Sequence, residues 1–103
     1  MNKLRVFLDD VRPAPDANWT VVRDPKLAIV MLEFGIVEEI SFDHDLGEGQ
    51  KTGYEVACVI EWLVHKGKID MPKWHVHSAN PVGRANITAA MQAAEKLAQR
   101  NKE

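Results

Sequence analysis

Two apolar runs in this chain stop on carboxylates. Leu4 to Leu8 gives way to Asp9 and Asp10, and Ile36 to Phe42 runs into Asp43, His44 and Asp45. Runs this short and this apolar read as buried strands rather than helices. Unpaired carboxylates resist desolvation, so both strands must end where a surface begins. Lys73 to His77, after Pro72, finishes in the same manner on Ser78, Ala79 and Asn80. Strands that end on polar residues and are separated by long connections suit a parallel sheet whose carboxyl ends gather along one rim.

The connections carry helix signals. Asp24 before Pro25 predicts an N-cap followed by proline at the first helical position, and Gly35 closes the segment. Leu27, Val30, Met31 and Phe34 repeat at i, i+3, i+4 and i+7 and are expected to form its buried face. Thr52 and Glu55 have capping-box spacing ahead of Val56, Val59, Ile60 and Leu63, with Trp62 widening that apolar face and Gly67 ending the helix. From Pro81 onward Ile87, Ala90, Met91, Ala94 and Leu97 mark a third amphipathic helix, and the polar tail Gln99 to Glu103 is expected to fray. Trp19 to Val22 adds a short strand after the Pro13 and Pro15 loop. The fold class is therefore α/β, a small three-layer parallel sheet of about four strands in 2-1-3-4 order with three helices distributed over both faces.

With 103 residues, 46% of them hydrophobic, the chain can bury one core and not two, so residues 1–103 are expected to form a single domain. Thirteen basic residues against fifteen acidic ones exclude a general attraction to nucleic acid or anionic membrane, and any phosphate recognition must be local. The opening MNKLRVFLDD is broken by Arg5 and ended by acids, which fits neither a signal peptide nor a spanning helix; a cytoplasmic location is expected. Cys58 is the single cysteine, so it has no internal disulfide partner, and its place in the second helix reads as core.

The terminal acids of LDD, the strand-end Asp43 followed by a loop and TGYEV, and Ser78-Ala79 resemble the receiver domains of response regulators. That resemblance implies a flavodoxin-like fold, truncated here: after the fourth strand there is one helix and no later strand bearing the lysine that receivers use on the phosphoryl group. LDDVRP, SFDHDLG, TGYEV and HSANPVGR together look most like the receiver-derived cyclic-phosphate processing domain. The resemblance implies chemistry on cyclic phosphate esters, with a cyclic-phosphate nucleotide or an RNA 2′,3′-cyclic phosphate end as partner.

The residues themselves point the same way. Carboxylates crowded on one rim repel unless a cation compensates them. Mg²⁺ or another divalent cation is the simplest compensation, held by Asp10 and Asp43 with Asp9 beside them. His44 and His77 carry imidazoles able to move protons near neutral pH, and Asp45 can orient one of them. His75 shares a strand face with His77 but lies away from the terminal turn and reads as structural. Arg12, Ser78, Asn80 and Arg84 are the candidates for holding phosphate, the last three at a helix amino terminus, whose free amides suit an anion. Gly47, Gly49 and Gly53 form no nucleotide fingerprint and read as loop residues, and the histidines lack the spacing of a zinc module. No aromatic ladder or basic stripe marks an extended nucleic-acid surface, and Trp19 and Trp74 read as packing. The leading expectation is a phosphodiesterase that hydrolyses a cyclic phosphate. The alternatives are a non-catalytic module that sequesters a cyclic nucleotide, and a divergent receiver phosphorylated at Asp43.

Overall fold

Residues 3–102 are described by the structure, a computed structural model. Strands β1 (Leu4–Leu8), β2 (Thr20–Val22), β3 (Val37–Phe42) and β4 (Lys73–Val76) pair in parallel in the order β2-β1-β3-β4. Helix α1 (Pro25–Glu33) links β2 to β3, α2 (Gly53–His65) links β3 to β4, and α3 (Pro81–Asn101) follows β4. Class, strand order and helix count are as expected. The N-caps are the expected ones too: Asp24 accepts from the Lys26 amide, Thr52 and Glu55 form a capping box, and Asn80 accepts from the Gly83 amide.

The layering departs from the expectation of helices on both faces. One contiguous core joins α1, α2 and α3 to strand residues of a single parity, among them Val6, Leu8, Ile40 and Phe42. The reason is topological. Both helical crossovers, β2 to β3 and β3 to β4, step the same way across the sheet, and right-handed connections that step the same way lie on the same face. Helix α3 then packs beside α2, while the β1–β2 connection contains no helix. The sheet is thus covered by helices on one face only, and residues of the other parity, Arg5, Phe7, Glu39, Ser41 and His75, line the opposite face.

Three local expectations also change. In α1 the buried residues are Pro25, Ala28, Met31 and Leu32, whereas Leu27, Val30 and Phe34 are exposed. Apolar side chains surround most of that helix, so periodicity alone did not select the stripe; the small Ala28 and its i+4 neighbour Leu32 face the core instead. The tail is helical as far as Asn101, whose side-chain amide donates to the Val64 carbonyl at 2.8 Å and ties α3 to α2. Glu103 lies outside the described residues. Cys58 is only partly buried and stands outside the core cluster. Among the described residues no helix is long and apolar enough to cross a membrane.

Candidate functional site

Strand alternation carries Phe7, Asp9, Ser41, Asp43, His75 and His77 to the face without helices, because each lies an even number of residues from its neighbour along its strand. The register sets Phe7 beside Ser41 and Ser41 beside His75. One step past the strands, Asp9, Asp43 and His77 meet at the carboxyl rim. The His77 amide still donates to the Phe42 carbonyl at 2.9 Å, which extends the ladder and fixes where its side chain begins.

Asp9 is fully buried and richly hydrogen-bonded. Its Oδ1 accepts from the amides of Val11 and Arg12 at 2.9 Å each, and Oδ2 accepts from His77 Nε2 at 3.0 Å. Burial pushes its pKa up, but the Arg12 and Val11 amides and the His77 ring outweigh that and hold the carboxyl below its ordinary 3.8. Since a carboxylate only accepts, Nε2 carries a proton toward Asp9, and Nδ1 lies 2.8 Å from the Ser41 hydroxyl, giving a chain Ser41–His77–Asp9 across three strands. The ring is stacked on Phe7, with centroids 4.3 Å apart and planes 7° from parallel.

Asp10 and the buried Asp43 complete an acidic trio: one carboxylate oxygen from each of Asp9, Asp10 and Asp43 lies within 4.8 Å of the others. Three hard oxygen donors match Mg²⁺ or Ca²⁺ better than a thiophilic metal. Asp43 is steadied by the His44 amide, which donates to its Oδ1 at 2.8 Å. Gly53 makes this turn possible, because a Cβ there would run into the Asp43 carbonyl and come within 3.1 Å of His44 Cα.

The basic residues divide. Arg12, with nearly half its side chain exposed, donates from Nη1 to the His77 carbonyl and holds Nε 3.9 Å from Asp9 Oδ2, so its guanidinium borders the acids. Arg84 spends Nη1 on the carbonyls of Val76 and Ser78, fastening the β4–α3 turn. Ser78 Oγ accepts from the Asn80 amide, and Asn80 caps α3 while its Nδ2 reaches Asp45 Oδ2 at 3.5 Å. These three expected phosphate ligands therefore shape the turn, and Asp45 meets Asn80 rather than a histidine.

His44 goes to the other side of the sheet, as alternation requires. Its ring lies against Gly83 in the first turn of α3, its Nδ1 is buried without a partner, and a Cβ on Gly83 would sit 2.6 Å from His44 Cβ and 2.7 Å from Cδ2. The structure thus brings Asp9, Asp10, Asp43, His77 and Arg12 together and seats His44 apart, next to the helix. Two neighbours were missed from sequence. Ser41 stands two residues before Asp43, and period-two counting would have found it. Arg23, one residue past β2, donates to the carbonyls of Asp9 and Arg12; its place at a strand end was the available signal.

A parallel α/β sheet with acids after its two central strands and a partnering histidine after an outer one defines a receiver-like domain with its site on the carboxyl rim. The chain belongs to the cyclic-phosphate processing receiver domain family, whose model matches residues 4–93. No curated protein and no solved structure matched the chain.

Proposed function

We propose that this domain is a phosphodiesterase that opens a cyclic phosphate ester by hydrolysis. The observation that carries the reading is the acidic trio sharing one rim with His77 and the Arg12 guanidinium. Asp9, Asp10 and Asp43 would hold a divalent cation, which when bound supplies charge stabilisation to the phosphoryl oxygens. Arg12 adds a fixed cation beside the same oxygens. Ser78, Asn80 and Arg84 shape the adjoining turn at the α3 amino terminus.

Hydrolysis forms one bond from a water oxygen to phosphorus and breaks the bond from phosphorus to one ring oxygen. The water loses a proton and the departing alkoxide gains one, so two proton transfers need groups. His77 is assigned one transfer, which requires its bond to Ser41 or to Asp9 to give way to the substrate. His44 is assigned the other through Nε2, its Nδ1 being enclosed, which requires the ring to reach the rim from its seat beside Gly83.

Purified protein incubated with RNA ending in a 2′,3′-cyclic phosphate and with cyclic nucleotides, with and without Mg²⁺, is expected to yield the linear phosphomonoester. Absence of turnover on every one of these by folded protein removes the enzymatic reading. The occupation of both His77 nitrogens favours a second reading, a module that binds the cyclic phosphate without turnover. Stoichiometric binding that persists in His44→Ala and His77→Ala, with no product, would establish it.

A further inference from the structure

Helix α1 is apolar on every side. Along Pro25–Glu33 only Lys26 and Glu33 are polar, and the core takes Pro25, Ala28, Met31 and Leu32. Leu27, Val30 and Phe34, the last at the C-cap, turn outward at 51%, 44% and 76% exposure. A surface helix ordinarily gives its outer side to polar residues, as α3 does with Gln92, Glu95, Lys96 and Gln99. A helix that is apolar all round is one that is buried all round, so α1 is built for a second neighbour on its outer side. Exposed apolar side chains scattered singly need no explanation, but these three stand at three- and four-residue spacing and form one seam.

The charges beside the seam select that neighbour. Lys26 and Glu33 immediately precede Leu27 and Phe34, so both flank the same side of the seam, with Val30 between them. When two copies of a helix run antiparallel about a two-fold axis, like flanks face each other, and a residue ahead of the axis meets one behind it. With the axis near Val30, Lys26 of each copy meets Glu33 of the other, and the same contact is made twice. In a parallel pair that flank would meet the flank of Met31, which the core already takes. The seam is thus complementary to itself in one orientation.

We infer that α1 is the contact of a two-fold dimer of this chain, in which Leu27, Val30 and Phe34 pack antiparallel against the same residues of a second copy, and Lys26 and Glu33 close one edge. The inference stands apart from the phosphate reading. Three side chains at these exposures leave roughly 300 Å² of apolar surface per copy, so the pair covers about 600 Å² at its centre, and a polar rim of similar size brings it to about 1,200 Å², the low end of specific interfaces. The dimer is accordingly weak, with a Kd on the order of 10–100 μM. Exposed ion pairs contribute little to that affinity and fix the register instead.

The test is sedimentation equilibrium of the full chain from about 1 μM to about 1 mM, where a monomer–dimer equilibrium is expected. Val30→Glu and Phe34→Glu should each weaken it about tenfold or more, and both should stay folded by circular dichroism because the positions are exposed. Lys26→Glu alone and Glu33→Lys alone should each weaken association about five- to tenfold, while the two together restore the parent value. Both single changes suit the helix macrodipole, an acid at its start and a base at its end, so the loss cannot come from a weakened helix. Lys96→Glu on exposed α3 should change nothing. A chain that stays monomeric at about 1 mM overturns the dimer. So does association that Val30→Glu leaves intact, or a charge pair whose double reversal restores nothing. Binding of a monomeric chain to lipid vesicles that Phe34→Glu abolishes overturns it too, by giving the seam to a membrane.

Discussion

Gly83→Ala probes the seat of His44 without any assumption about activity. Glycine at the third position of α3 costs the helix roughly 0.5–1 kcal/mol relative to alanine, so in empty space the substitution would stabilise. The space is filled. The new Cβ would lie 2.6 Å from His44 Cβ and 2.7 Å from Cδ2, where carbon atoms prefer about 3.5–4.0 Å, and the ring must move by close to an ångström. Overpacking of that kind costs about 1–3 kcal/mol, which exceeds the helical gain and leaves a net loss of about 1–2 kcal/mol. Urea unfolding should show it directly, and a thermal scan should show Tm falling by roughly 4–8 °C per kcal/mol for a domain this size. In a His44→Gly background the obstacle is gone, and Gly83→Ala should reverse sign and stabilise by about 0.5 kcal/mol. The coupling between the two positions is thus expected near 2 kcal/mol, large for a double-mutant cycle. Gly53→Ala is the contrast, because backbone of Asp43 blocks it and no side-chain deletion at 44 can relieve it. Equal destabilisation by Gly83→Ala in both backgrounds would refute the claim that this glycine exists to admit the histidine ring.

Other consequences are simpler. The His75 ring, followed by Arg5, holds Glu39 below its ordinary 4.5 despite the opposing effect of burial. A lowered folded-state pKa means stability present above pH 4.5 and lost as pH falls through the folded value, so Glu39→Gln should flatten the loss of stability below pH 4.5 in acid titrations followed by circular dichroism. Asn101→Ala removes a hydrogen bond to Val64 and should cost about 1 kcal/mol in urea unfolding, with faster amide exchange in the last turn of α3. Mg²⁺ at about 100 times its Kd should add about 2.7 kcal/mol to unfolding free energy, and Asp43→Asn should abolish that gain.

The architecture was legible wherever one local rule sufficed. Caps at Asp24, Thr52 and Asn80 and the acid-stopped strands announced their elements, because a cap or a buried run depends on a few adjacent residues. Face selection was less legible. Leu27, Val30 and Phe34 satisfy helical periodicity as well as Ala28, Met31 and Leu32 do, and only the neighbours in space decide between them. The same holds at the rim. Alternation along β3 sends Asp43 and His44 to opposite sides, but nothing local shows that α3 would be waiting for the histidine, with Gly83 opened for it. Ser78, Asn80 and Arg84 illustrate the converse: a turn that suits an anion also needs its own carbonyls and amides satisfied, and in this fold those local bonds engage all three.

The single-sided layering and the shape of the site have one cause. A helix between β1 and β2 would step against the direction of the other crossovers and so lie on the opposite face, over Phe7 and Ser41. The chain instead crosses from Asp9 to Trp19 without one, and the indole of Trp19 packs edge-on against Phe7 on that surface. The consequence is that Asp9, Asp43 and His77 turn to a side of the sheet that is covered by a loop and an indole rather than by a helix.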